Sequence, residues 1–115
     1  MARHFNTERD DLDAQLRACF GSEKPHVYFN PPENLKMEYP AIRYSRTGGR
    51  NIHASNAVHA QTNTYKIVVI DRDSDSLIAR AVRRIPHCAK GTEYKSDNLY
   101  HFQFTISLFI KEVPK

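Results

Sequence analysis

The chain has no tryptophan, two cysteines, four glycines and no long apolar run. Each shortage removes a class of explanation. A membrane-spanning helix needs about 20 consecutive apolar residues, and the most apolar run here, Ile67-Val-Val-Ile70, is far shorter. Met1 to Glu8 lack the apolar core of a secretory leader, so an intracellular protein is expected. Cys19 and Cys88 stand far apart without Cys-x-x-Cys spacing, which predicts small buried residues rather than a disulfide or a metal site. Repeats and low-complexity tracts are missing too. The 115 residues, 40% hydrophobic and 26% charged, describe one globular domain, 1–115.

The usual signatures of catalysis are also missing. The six histidines include no His-Glu-x-x-His spacing and no zinc-finger pairing with cysteine. His53 and His59 lie close enough in sequence to share a metal, but they read more simply as solvated loop residues. His101 beside Tyr100 has the composition of a nuclease base, yet on an alternating strand it is expected to face outward. Asp71, Asp73 and Asp75 lack the glycine and distal glutamate of a calcium loop. Gly48-Gly49 does not open a helix and so is no phosphate loop. No Ser/His/Asp or Cys/His spacing stands out. The expectation is a protein that is not an enzyme, with no cofactor and no metal.

What the chain does have is a strong strand–helix unit between Thr64 and Ile85. The β-branched run Ile67–Ile70 predicts a central strand covered on both faces. Leu77, Ile78, Ala81, Val82 and Ile85 then fall on one helical stripe, with Arg80, Arg83 and Arg84 off it. Between strand and helix, Asp73 is the expected N-cap, Asp75 adds charge favoured by the helix dipole, and Pro86 ends the helix.

Upstream, Thr7-Glu-Arg-Asp10 reads as a capping box opening a helix of about four turns. Its apolar positions are Leu12, Leu16, Cys19 and Phe20, and Gly21 is its stop. His26–Asn30 and Ala41–Arg46 read as short strands, the second with Ile42 and Tyr44 on one face and Ala41, Arg43 and Ser45 on the other. From Thr47 to Asn63 the apolar pattern nearly vanishes. Such a stretch predicts a projecting, hairpin-like arm between two antiparallel strands. His87 to Tyr94 reads as a connection turning at Lys90-Gly91, and Asp97-Asn98 as a further turn. Tyr100 to Ile110 alternate with nearly strict period two, predicting a long final strand with one buried face. The fold class is therefore α+β: an antiparallel or mixed sheet of about four strands, with both helices on one face and a long arm at 47–63.

The formal net charge of +4 is moderate, but it is unevenly placed. Arg43, Arg46, Arg50 and Lys66 occupy 41–66 with no acid among them. Arg80, Arg83, Arg84, Lys90 and Lys95 outweigh Glu93 in 77–95, while Glu8, Asp10, Asp11 and Asp13 crowd the first helix. A polarised surface suits nucleic acid, and it equally suits head-to-tail contact between copies. Contacts to partners or copies are expected at Arg43, Arg46, Arg50, His53 and His59, at Asp10, Asp11 and Asp13, and at Arg80, Arg83 and Arg84. An arm with few apolar anchors is expected to order on a neighbour.

Several segments resemble one family. Val27-Tyr-Phe-Asn-Pro-Pro-Glu-Asn-Leu-Lys-Met-Glu-Tyr-Pro-Ala-Ile-Arg-Tyr44 is similar to a strand ending in Phe-x-Pro-Pro-Glu that leads to a Tyr-Pro-x-Ile strand start. This pattern belongs to tail-completion proteins of long-tailed phages. Tyr65-Lys-Ile-Val-Val-Ile-Asp-Arg-Asp-Ser-Asp-Ser76 resembles the same family, with Ser74 where it has proline. Ile85-Pro-His-Cys88 and Ser96-Asp-Asn-Leu-Tyr-His-Phe-Gln-Phe104 are similar to its closing pattern, and the arm at 47–63 is not. The resemblance covers 26–45 and 64–110. It implies a structural virion protein of the tail or neck, present in the host cytoplasm during assembly. Such a tail terminator would form a six-membered ring that caps the tail tube and joins it to the head. The implied partners are the tail-tube protein, a head-completion or stopper protein, and double-stranded DNA passing through the lumen without sequence recognition. Another head–tail connector component (stopper or adaptor) and a small nucleic-acid-binding module using the basic arm are the alternatives.

Overall fold

The structure is a computed structural model and describes residues 7–55 and 57–110. The elements in chain order are α1 (Glu8–Ala18), β1 (Val27–Phe29), β2 (Ala41–Ala54), β3 (Ala57–Asp71), α2 (Leu77–Arg83), β4 (Cys88–Ser96) and β5 (Leu99–Phe109). They form a mixed α+β fold built on a five-stranded sheet of order β1-β2-β3-β5-β4. Only β1 and β2 are parallel; the other pairs are antiparallel. The expected class holds, with one strand more than anticipated.

The additional strand is β4, in the stretch expected to be a connection. Its residues are almost all exposed, so no apolar alternation marks it. What makes it a strand is the facing edge of β5 and the two-residue loop Asp97-Asn98 between them, both residues at positive φ. Lys90-Gly91, expected as a turn, lies within β4 where the pairing slips between Lys90 and Glu93. A Cβ on Gly91 would come within 3.1 Å of the Gln103 carbonyl oxygen, so glycine permits that bulge to lie flat.

β3 is the middle strand, as its β-branched run predicts. Ile67, Val68, Val69 and Ile70 are all buried, on alternating faces. One face is covered by both helices. Ile42, Tyr44, Tyr65, Ile67, Val69, Phe102, Phe104 and Ile106 form a single cluster with Leu12, Leu16 and Phe20 of the α1 segment and with Ile78, Ala79 and Val82 of α2. Among the described residues the other face is covered only at its Asp71 end. There the 30–40 connection returns over the sheet: Asn30 and Pro31 share a cleft with Val68, and Arg72 donates to the Tyr39 carbonyl.

The capping box at α1 is present, with Thr7 accepting from the Asp10 N–H and Asp10 accepting from the Thr7 N–H. The helix has 11 residues, about three turns rather than four, and the chain leaves it through Gly21 at φ +61°. At α2 the N-cap is Ser76, not Asp73: the Ser76 hydroxyl accepts from the Ala79 N–H at 3.1 Å. The aspartates upstream make successive local turns instead, Asp71 accepting from the Asp73 N–H and Asp73 from the Asp75 N–H. The buried stripe is rotated as well. Ile78 and Val82 are buried and Ile85 packs on the core as the stripe predicts, but Ala79 is buried too and Leu77, expected inside, is 76% exposed.

The 47–63 arm is regular. β2 and β3 pair in register through Ala54 and Ala57, with bulges between Arg46 and Gly48 and between Ile52 and His53. β1 pairs with β2 only at Ile42–Tyr44, and β5 reaches β3 only from Thr62 onward. Among the described residues the outer part is therefore a two-stranded ribbon, with no strand on either edge beyond the bond from the Ile110 N–H to the Gln61 carbonyl. Gly49 permits the close pairing at its base, since a Cβ there would meet the Thr62 carbonyl oxygen at 2.6 Å.

Replacing Ser76 by alanine is expected to cost about 1 kcal/mol through loss of the cap. Val69→Ala should cost about 2 kcal/mol, because the fully buried site leaves a cavity. Denaturant midpoints check both; equal, small shifts would contradict the positions assigned to cap and core.

Candidate functional site

Three features carry most of the polar chemistry: the contacts that seat α1, the ribbon, and the open sheet face. The first is a row of rings across three strands. Phe29 lies 5.0 Å from Tyr44, and Tyr44 lies 6.3 Å from Tyr65, centroid to centroid. α1 places a polar residue on each ring. Arg9 sits over Phe29 at 4.3 Å, the Tyr44 hydroxyl donates to Asp13 at 2.6 Å, and the Tyr65 hydroxyl donates to Glu8 at 2.6 Å.

Glu8 is a buried carboxylate, and the surroundings keep it satisfied. It lies in the first turn of α1, where the helix dipole favours negative charge. The Arg46 Nε donates to the Tyr65 hydroxyl at 3.4 Å, and the guanidinium lies over that ring. Arg46, Tyr65 and Glu8 thus form a graded chain from cation through phenol to anion. Burial, then the hydrogen bond to Glu8, pushes the Tyr65 phenol above its ordinary value. Burial, then Asp13, does the same to Tyr44 more strongly.

These contacts determine what the predicted partner residues can do. Asp10 closes the capping box, and Asp13 accepts from both Tyr44 and Arg17. Of the three acidic positions, two therefore help build the helix and seat it; Asp11 is a half-exposed neighbour in the same turn and is also engaged. The arginines do not converge either. Arg46 lies on the helix side, while Arg43 and Arg50 sit on the opposite face. Arg80 lies 3.9 Å from Asp75, and with Arg83 it lines a cleft between α2 and β4. Arg84 is exposed at the end of α2. His53 is exposed near the ribbon tip, and the His59 side chain lies outside the described part. Among the described residues, no group of three His, Cys, Asp or Glu side chains is placed to hold a metal ion. His101 stacks on Tyr94, with rings 4.7 Å apart and nearly parallel.

The residue that sequence reasoning passed over is Lys66. It pairs directly with Ser45, so it stands diagonally beside Arg43 on the same face. The two are 23 positions apart in sequence, and only the register brings them together. With Asn30, Pro31, Ser45 and Val68 they line a cleft of about 220 Å³. The available signal was the alternation of β2 combined with the antiparallel pairing.

Tyr65→Phe removes the donor to a buried carboxylate and is expected to cost about 1–3 kcal/mol at neutral pH. The phenol shifts also give a pH dependence. Raised folded-state values mean that this stability is complete below the ordinary phenol range, near pH 10. It is lost as pH climbs through the raised values, because the unfolded chain releases these protons first. Urea midpoints measured across the alkaline range should fall for the parent and fall less for Tyr44→Phe.

Comparison with known proteins adds no relative: no family model matches this chain, and no curated protein is significantly similar to it.

Proposed function

We propose that this chain is a structural protein of the phage neck, a tail terminator. Copies of it form a ring that caps the tail tube and joins it to the head. The observation that carries this reading is the ribbon. Among the described residues it extends two strands beyond their neighbours, has no strand along the outer part of either edge, and places almost only exposed side chains there. Such an element adds little to the core of its own subunit, and unpaired edges are a template for another chain. A ring needs two unlike surfaces on each subunit, and here the ribbon lies at one end of the sheet with the helix layer over the other. The resemblance of 26–45 and 64–110 to tail-completion proteins supplies the setting. The ribbon, outside that resemblance, would then contact the partner particular to this protein.

The reading makes the partners the tail-tube protein below, a head-completion or stopper protein above, and further copies of this chain at the sides. No helix among the described residues is long and apolar enough to cross a membrane. Asp10 and Asp13 help build and seat α1 in their own subunit, so the ribbon is the better candidate for intersubunit contact.

Light scattering of the purified protein, alone and mixed with tail tubes, tests this directly. Assemblies of several 13.3 kDa copies, and density at one end of each tube by electron microscopy, are expected. A monomer that ignores tubes would overturn the proposal. Deleting Asn51 to Ala60 and closing the ribbon with a short turn should leave the thermal midpoint nearly unchanged, since few apolar contacts are lost. The same deletion should abolish end-capping and leave separate heads and tails; normal joined particles would contradict the role given to the ribbon.

A further inference from the structure

The sheet face away from the helices is chemically one-sided. Two acids occur in the five strands, Asp71 and Glu93, and the pairing puts both on the helix side, opposite Tyr100 and Phe102. The open face carries Arg43, Lys66 and Arg50 among the hydroxyl and amide groups of Ser45, Thr62, Thr64, Thr105, Ser107 and Gln103, with exposed Phe109 beside Thr62 and the stacked Tyr94–His101 pair toward the other end. Thr64 and Ser107 share a hydrogen bond across the strands at 2.8 Å. The connection crossing one end adds Glu38, which faces His26 at 3.5 Å.

Arg43 and Lys66 are exposed diagonal neighbours on adjacent strands, with Cβ atoms about 7 Å apart. Neither has an acidic partner among the described residues. Two like charges held side by side, bordering a cleft with Ser45 and Asn30, have the donor chemistry that suits an oxyanion. Arg50 stands opposite Thr62, four residues along β3 from Lys66, about 13 Å at strand rise. The face therefore offers cations at several points with hydroxyls between them. That is the donor set which meets phosphates in nucleic-acid complexes, and it reads no bases.

We infer that the open sheet face binds the phosphate backbone of a nucleic acid without sequence preference, with the Arg43–Lys66 cleft as its tightest point. The rival occupant is an acidic surface of a second copy. On α1, the most acidic element, it is less well supplied, because Glu8, Asp10 and Asp13 are already engaged by Tyr65, Thr7, Arg17 and Tyr44. As an assignment of the side that would face DNA in a ring, the inference rests on the terminator reading; the binding itself does not.

The test uses the full chain and a short labelled DNA duplex of mixed sequence, titrated from low to physiological salt. The parent is expected to bind at low salt and weaken steeply as salt rises, through counterion release. Arg43→Gln with Lys66→Gln should lower affinity about tenfold and reduce the salt slope by about two. Thr105→Glu, which adds a carboxylate to the face without removing a cation, should also weaken binding. Arg80→Gln with Arg84→Gln, on the helix side, should change it by less than about twofold. Circular dichroism and the thermal midpoint establish that each variant folds. No binding by the parent at low salt, or equal binding by parent and double variant, would overturn the inference. So would loss of subunit association in the double variant with DNA binding intact, which would give the face to a second copy. A monomeric parent whose DNA binding still depends on Arg43 and Lys66 would support the inference while removing the ring.

Discussion

The structure depends on how far along its length β3 is covered. From Ile67 to Ile70 the strand is buried on alternating faces, under the helices on one side and partly under the 30–40 connection on the other. Among the described residues neither cover continues below Thr64, yet the strand runs on to Ala57 with β2 as its partner over its last residues. The core and the ribbon are thus two halves of one strand pair. Burial stabilises the first half by the usual apolar transfer term, roughly 25 cal/mol per Å². The second half has little of that term and relies on the ladder and on glycine at its base.

Seating α1 is the second requirement. Its apolar residues Leu12 and Leu16 bury fully, but its polar residues determine where it lies, through Arg9 on Phe29, Asp13 on Tyr44 and Glu8 on Tyr65. A buried carboxylate is costly unless it is hydrogen-bonded, so these pairings act as a positional lock as well as a source of stability. The same use of Asp10 and Asp13 withdraws acids that a charge map of the sequence would have offered to a partner. What is left for partners is the ribbon, the open face and the helix-side arginines, each on a different part of the surface.

This separation gives the proposed ring a physical basis. Subunits that meet through unlike surfaces can close into a ring, whereas a single self-complementary patch makes pairs. The ribbon suits side-to-side or end contacts through unpaired edges. The open face, whose strands carry no acid on that side, suits a polyanion. Neither role competes with the other for residues, because Arg46 at the ribbon base turns to the helix side while Arg43, Lys66 and Arg50 turn away from it.

Local patterns by themselves determined much of this protein: the capping box at Thr7, the central strand at Ile67–Ile70, the turn at Asp97-Asn98, the long final strand and the α+β class. Each depends on residues near one another in the chain, so periodicity and capping chemistry suffice to find it. β4 was hidden because an exposed edge strand has no apolar alternation and is defined by its neighbour's hydrogen bonds. The cap at Ser76 was hidden among competing aspartates, since the packing of Ile78, Ala79 and Val82 on the sheet sets the helix rotation and therefore its start. The ribbon's regularity came from strand register continuing outward from the core. The Arg43–Lys66 pair was decided by tertiary structure alone: charge counts along the chain locate cations, but only cross-strand register says which of them share a face.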